Sequence, residues 1–452
     1  MSVDRETKAA GILARPYALT TIGAWSLVFL AAFESLAVTT IMPIVTADLD
    51  GRALYALAFS STLAAGVVGM VGIGSWADRR GPAVPLFTAI VVFALGLGIA
   101  GTAGSMPVFV AARFLQGLGA GGMTVALYVL VAMVYPAGLH IKIFGAFASA
   151  WVVPSMVGPF AAGFVADVLS WHWVFLGVVA LVAAATMLIL PAVRGRDRAR
   201  GDRLPASVAD ARRVAEAAVV AVGVVALSSL GEFEPGVAWL VAPLAVVVVG
   251  FALRNLVPAG TYRIRAGLPA TVVLCGFAGG VFFGTDVYLP LLLHDRYGLP
   301  AWLSGITLTA GAIAWALAFA VQARLGDRLD PGTAIRAGTV LLAGGAAAEL
   351  ATAALHLPAA IAAIGWFAAG AGMGTLYPRI STLVLAYSAP GQEGFNTAAK
   401  SITDAVGGSG SLAVAGLLFA LFPFVGPFAF TTVLGVVVII IGVRVAAPKS
   451  SA

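Results

Sequence analysis

The nine residues GSWADRRGP at 74–82 return without a gap as ARLGDRLDP at 323–331, and each copy follows a long apolar run. A charged turn repeated at an offset of 249 residues means that the chain is built of two similar halves. The same offset sets Gly145 on Gly394, Ser155 on Asp404 and Gly158 on Gly407, and brings Glu34 within three residues of Asp286.

The composition says where those halves reside. Of 452 residues, 61% are hydrophobic and 10% charged, with a mean hydropathy of +1.02. That is the profile of an all-α integral membrane protein and excludes a soluble enzyme, because the polar segments are too short to bury a core. Runs long enough to span a bilayer, roughly 20 residues, fall near 19–46, 54–77, 83–104, 107–135, 143–166, 172–191, 214–231, 236–253, 267–293, 301–323, 334–355, 358–387, 395–421 and 424–446. The first reads as a permanent helix rather than a removable leader. Fourteen transmembrane helices follow: a pseudo-symmetric six-helix bundle over 1–192, an arginine-rich linker over 193–213, two inserted helices over 214–265 and a second six-helix bundle over 266–452.

The net charge of +6 reports topology rather than a nucleic-acid partner. With the N-terminus cytoplasmic, inside segments hold Arg79, Arg80, Lys142, Arg254, Arg263, Arg265, Arg324, Arg328, Arg336 and Arg444, together with the cluster from Arg194 to Arg213. Outside loops hold only Arg52 and Arg296. The positive-inside rule then expects a multi-pass protein of the cytoplasmic (inner) membrane with both termini inside. Arginine outnumbers lysine 22 to 4, which suggests a bacterium of high GC content.

Charges within spans are costly and mark function. Glu34 stands in FESLAVTTIMPIV, 33–45, and Arg113 in RFLQGLGAGG, 113–122. A rise of about 1.5 Å per residue puts Glu34 roughly 18 Å and Arg113 roughly 9 Å from the outer ends of their spans, a gap that an extended arginine closes most of the way. The two are expected to pair, with Arg113 reaching the outer interface as the alternative. Desolvation and a nearby guanidinium pull a carboxyl in opposite directions, so Glu34 is the leading candidate proton carrier. Asp286, in FFGTDVYLP, is its candidate counterpart, flanked by Phe282, Phe283 and Tyr288 as lining for a flat or lipophilic ligand. Asp404 stands four residues after Lys400, a spacing that fits either an internal salt bridge or a gating role. Glu349 sits near an outer end and is expected to face water, and Glu232 and Glu234 to lie in an external loop. The four histidines fall at membrane ends and not at ligand spacing, so no metal is expected. There is no GxxxxGK[ST] loop for ATP and no cofactor motif, and the single cysteine, Cys275, reads as a packing residue.

Four of these stretches together resemble the major facilitator superfamily, and within it the fourteen-helix drug:proton antiporter branch. GSWADRRGP is similar to the loop motif between helices 2 and 3, with Gly74, Asp78, Arg79 and Gly81 in register and Asp327 and Arg328 in the repeat copy. RFLQGLGAGG resembles the helix 4 motif. VGPFAAG, with Gly158, Pro159 and Gly163, resembles the helix 5 motif that marks antiporters. ESLAVTTIMP resembles the helix 1 motif, in which an acid stands nine residues before a proline, as Glu34 does before Pro43.

The resemblance implies that Asp78 and Arg79 latch one conformation, that the helix 5 glycines let the halves rock, and that the protein is no enzyme. It implies a monomeric, proton-coupled secondary transporter, driven by the proton gradient, that exports small lipophilic compounds, cations among them, by alternating access in the manner of multidrug efflux. The proton-coupling set is then Glu34, Arg113, Asp286 and Asp404. The alternative cargo is a lipid or lipid-linked metabolite.

Overall fold

The computed structural model describes residues 11–15, 17–193, 208–229, 235–325, 329–389 and 392–445, and among them it is helix and turn throughout. The first bundle comprises α1 Ala18–Asp48, α2 Tyr55–Arg80, α3 Ala83–Ala100, α4 Met106–Val134, α5 Ala137–Val168 and α6 His172–Val193. The inserted pair is α7 Val208–Ser228 and α8 Pro235–Leu253. The second bundle comprises α9 Leu268–Asp286, α10 Tyr288–Tyr297, α11 Ala301–Leu325, α12 Pro331–Leu355, α13 Ala359–Ala386, α14 Glu393–Leu421 and α15 Val425–Val445. Twelve spans among the described residues are long and apolar enough to cross a membrane, α9 and α10 together counting as one. α7 begins six residues inside the stretch expected as linker, because VADARRVAEAAV is rich in helix formers and carries an Arg212–Glu216 bond at i,i+4.

Sequence repetition becomes packing repetition. In the first bundle α1 packs on α5 and α6, α2 on α4, and α3 on α4 and α6. In the second, α9 packs on α14 and α15, α11 on α13, and α12 on α13 and α15, which is the same scheme. Two seams join the bundles, α5 against α11 and α2 against α14, and a pseudo-two-fold exchanges them. Each bundle has its own buried apolar core. α7 lies across the second seam, where Val220 and Val224 pack with Val67 of α2 and Ile402 of α14.

Glycine sets how closely the helices approach, and it also fixes the register of the repeat. A Cβ on Gly117 or Gly121 of α4 would overlap the backbone of Thr62 or Gly66 of α2; a Cβ on Gly370 or Gly374 of α13 would overlap Gly311 or Trp315 of α11. Thr62 and Gly311 obey the expected offset, whereas Gly117 and Gly370 are four residues further apart. The register therefore slips by about one helical turn before α13. The slip arises at α12, which runs 25 residues where α3 runs 18. The connection from α4 to α5 has two residues and that from α13 to α14 has six, so the single offset of 249 that set Asp404 on Ser155, Gly407 on Gly158 and Gly394 on Gly145 does not carry unchanged through the second bundle.

Local chemistry explains the breaks. Gly81 ends α2 with φ +82°, a conformation that disfavours a side chain. Pro290 has no N–H to return to the Asp286 carbonyl, so the ninth span breaks between α9 and α10. Asp330 caps α12, accepting from the Thr333 N–H at 2.8 Å, and that bond holds its carboxyl below the usual range. The face carrying the α2–α3 and α4–α5 turns is called proximal below, and the face carrying the α1–α2 and α3–α4 turns distal.

Gly117→Ala should cost about 1–3 kcal/mol by forcing α4 away from α2, whereas Gly98→Ala, with open space around it, should not. Thermal denaturation of the two purified variants in detergent, compared with the parent, checks the difference.

Candidate functional site

Three polar groups lie in or between the apolar bundles. The first joins α1 to α4: Arg113 Nη1 donates to both Glu34 Oε1 and Gln116 Oε1. All three side chains are buried, Arg113 at 2% exposure, so the arginine points into the bundle and does not reach the interface. Gly117, the next residue after Gln116, permits the close α2–α4 approach, and the Thr62 hydroxyl donates to the Arg113 carbonyl at 3.1 Å. Arg113 Nε and Gln116 Nε2 have no partner among the described residues.

The second group lies at the distal face, between the bundles. Thr39 of α1 donates to Asp286 at 3.4 Å, and the Tyr55 hydroxyl of α2 donates to the Val287 carbonyl at 2.6 Å, on the break between α9 and α10. Further out, Arg52 pairs with Asp295. On the other seam, Asp167 accepts from the Trp302 N–H at 3.1 Å. Gly163 abuts the backbone of Ala301, and Gly305 abuts Pro159. Pro159 and Gly163 thus lie on the seam itself, while Gly158 faces the Phe33 ring. These bridges close the distal side.

The third group lies in the second bundle. Tyr377 donates to Asp404 Oδ2 at 2.6 Å; Lys400 donates to Ser381 at 2.9 Å, with its ammonium 4.1 Å from the centre of the Tyr377 ring. The i,i+4 pair of Lys400 and Asp404 does not close into a direct salt bridge, because Tyr377 engages both. Cys275 is buried in the core nearby.

Other expectations need correction. Phe282 and Phe283 adjoin edge to face at 5.9 Å, but Phe282 stacks on Trp366 at 4.8 Å inside the second bundle. Tyr288 lies beyond the helix break, against Tyr55 at 5.7 Å and Phe419 at 5.3 Å. The three do not share one pocket, because the break redirects the chain between them. Glu349 does not face water: it is 0% exposed where α12 packs against Gly365 of α13, and neither carboxylate oxygen has a partner among the described residues. Gly74 fits against Val125 of α4, and Arg79 donates back to the Ser75 carbonyl at 3.0 Å. The Asp78 side chain, Asp327, Arg328, Glu232 and Glu234 lie outside the described residues.

An aromatic pocket of about 150 Å³ between α1, α4 and α5 is lined by Tyr128, Phe144, Phe147 and Trp151, with Met123 and Thr124. Sequence reading missed it, since four aromatics spread over two helices show no local motif. It also missed Arg379 of α13, which bonds Gln322 of α11 at 2.8 Å and reaches the Leu329 carbonyl at 3.4 Å, tying the proximal ends together. An arginine in an apolar span was the available signal.

Two bundles related by a pseudo-two-fold, with charged pairs inside and breakable bridges between, are the parts of an alternating-access carrier. The sequence profile of the Major Facilitator Superfamily matches residues 24–409. The chain belongs to that superfamily. As a Major Facilitator Superfamily transporter it is 25% identical over 400 residues to a probable multidrug-efflux transporter of Mycobacterium tuberculosis, covering 84% of this chain and 83% of that protein. Over 293 residues it is 31% identical to an MFS efflux transporter of Aspergillus oryzae, covering 62% of this chain and 53% of that one. Its fold resembles the crystal structure of a peptide transporter in complex with alafosfalin, with a TM-score of 0.69 at 16% identity over 96% of this chain and 97% of that one.

Arg113→Met strands Glu34 in the bundle and should destabilise this transporter by about 3–5 kcal/mol. Adding Glu34→Gln to it should restore part of that loss. Thermal denaturation of the single and double variants measures the coupling.

Proposed function

We propose that this transporter is a proton-coupled exporter, of the fourteen-helix antiporter kind, for small lipophilic compounds, cations among them. In this reading the proximal face is cytoplasmic, the protein is a monomer in a bacterial cytoplasmic membrane with both termini inside, and the two six-helix bundles rock about the two seams. The observation that carries the reading is the buried Glu34–Arg113–Gln116 group. It lies in the bundle that also holds the aromatic pocket, with α1 and α4 contributing to both.

A carboxyl held between desolvation and a guanidinium changes its protonation with small changes around it. If Glu34 takes up a proton, its hold on Arg113 weakens, and Gln116 keeps one acceptor on the guanidinium. The α1–α4 contact then rearranges beside the aromatic pocket, so proton and cargo act on the same two helices. Distal opening would break the Arg52–Asp295, Tyr55–Val287, Thr39–Asp286 and Asp167–Trp302 bridges. Each is a single bond between bundles, worth roughly 0.5–3 kcal/mol, so their sum lies within reach of cargo binding and a proton gradient. Asp286 is placed in this account as the acid that senses distal closure, and Asp78 and Arg79 as the proximal latch.

The test is proton release from purified, detergent-solubilised protein on adding a panel of lipophilic cations and uncharged aromatics. Wild type should release protons, and Glu34→Gln should not. Release unchanged in the variant moves the coupling to Asp286 or Asp404, and no release with any compound turns the reading toward a lipid cargo.

A further inference from the structure

A cavity of about 510 Å³ opens at the distal end of the seam between α2 and α14, within the size range of small-molecule sites. The first bundle supplies Arg52, Tyr55 and Ala56 to its wall, and the second supplies Tyr288, Gly416, Phe419 and Ala420. Three rings pack in series, Tyr288 against Tyr55 at 5.7 Å and against Phe419 at 5.3 Å, so the wall runs unbroken from one bundle to the other. Arg52, its side chain 59% exposed, and the exposed Ala420 put the mouth on the distal face. Tyr55 spends its hydroxyl on the Val287 carbonyl, whereas no hydrogen bond engages the Tyr288 hydroxyl among the described residues. Tyr288 is nevertheless 1% exposed, and its hydroxyl lies 3.6 Å from the position that a Cβ on Gly416 would take, on the cavity's own wall. A buried hydroxyl that lines a cavity without a partner is a place for a ligand atom.

The charges around the cavity select the ligand. Arg52 pairs with Asp295 and rests over the Phe419 ring at 6.0 Å. Arg296 rests over Phe424 at 5.8 Å, and Phe424 meets Phe419 edge to face at 5.3 Å. Guanidinium groups of the protein thus already take the cation–π positions on these two rings. A cation would meet Arg52, and an anion would have to displace Asp295; an uncharged aromatic meets neither cost. We propose that this cavity binds an uncharged, flat aromatic compound whose hydrogen-bond acceptor takes the Tyr288 O–H, and that the occupant holds the distal side closed. Separating the bundles there would carry Tyr55 away from Tyr288 and Phe419 and divide the site. The ligand therefore fits the distal-closed arrangement alone and shifts the population toward it. The inference rests on the alternating-access reading of the chain and is independent of which cargo is carried.

Coumarin, a neutral bicycle with a carbonyl acceptor, and N-methylquinolinium, a cation of similar shape, are the matched probes. Binding to the purified full chain is followed by equilibrium dialysis. Distal closure is followed by amide hydrogen exchange at Trp302, whose N–H bonds Asp167 on the other seam, away from the cavity. Tyr288→Phe keeps the ring and should weaken coumarin binding roughly three- to tenfold, the loss of one hydrogen bond. Ala420→Trp fills the mouth from an exposed position and should abolish coumarin binding while leaving N-methylquinolinium within about twofold. At about ten times its dissociation constant, coumarin should slow exchange at Trp302 about tenfold in the wild type and not in Ala420→Trp. No coumarin binding to the wild type, binding that survives Ala420→Trp, or equal loss of both probes in that variant overturns the site. Binding with unchanged exchange at Trp302 overturns its closing role. The expected variant pattern with slowed exchange, in a protein that releases no protons to any compound, upholds this inference and overturns the exporter reading.

Discussion

A guanidinium at 2% exposure among membrane helices needs an acceptor, and the arrangement of the first bundle follows from how Arg113 obtains two. Glu34 must come from α1 and Gln116 from one turn further along α4. That requirement fixes the rotation of both helices about their axes. It also fixes their distance from α2, because Gly117 and Gly121 leave no room for a side chain between α4 and α2. The second bundle keeps the same glycine contacts at Gly370 and Gly374 but places Trp366 where the first has Arg113, so its packing is copied and its charge is not. Its own polar group sits elsewhere, at Tyr377, Lys400 and Asp404.

Much of this was legible in the sequence. The helical bundles, their order around an inserted pair and the Glu34–Arg113 pairing follow from hydropathy, a repeated turn and the cost of burying charge, and the superfamily from the resemblance of four motifs; the inserted pair was expected to span the membrane but is not among the twelve long apolar spans of the described residues. The errors have a common physical origin. An offset read from one loop motif holds only until a helix changes length, and the runs expected over 83–104 and 334–355 were equally long, whereas α3 stops at Ala100 and α12 spans Pro331–Leu355. Glu349, which the run placed near water, is buried by packing against Gly365 of α13, a contact no single run shows. Contacts between distant helices left even less trace. Nothing near Lys400 announces Ser381, and nothing near Tyr55 announces the Val287 carbonyl. Both partners were created by packing.

The inserted helices break the symmetry that the bundles otherwise keep. α7 packs against α2 and α14, covering one of the two seams, while the equivalent seam between α5 and α11 has no such cover among the described residues. The contact is apolar, mostly alanine and valine with Ile402, so it can slide without stranding polar groups. At the proximal end the arrangement is more definite, since Glu216 of α7 accepts from Asn255, just beyond α8, at 2.7 Å. The pair is therefore tied to itself at one end, while one buried apolar face of α7 packs on the bundles. A rocking motion about the covered seam would carry α7 over a smooth apolar surface, whereas motion about the other seam opens directly toward lipid.

That asymmetry joins a difference in polar chemistry between the two bundles, Arg113 with Glu34 in one and Tyr377 with Lys400 and Asp404 in the other. Two bundles descended from one packing scheme need not share chemistry, because the scheme is held by glycines and apolar cores away from the cleft. The cleft positions are then free to diverge without loss of fold. An aromatic wall alone would hold any flat lipophile equally, and hydrophobic pockets discriminate poorly between such ligands. The second bundle carries instead a polar group in which Tyr377 bonds Asp404 and Lys400 bonds Ser381, the kind of contact that does discriminate when a buried donor or acceptor is left unmatched. Within that group the Tyr377 ring and the Ser381 hydroxyl hold the Lys400 ammonium while one Asp404 oxygen keeps no hydrogen-bond partner among the described residues, so the cost of burying the two charges is only partly offset.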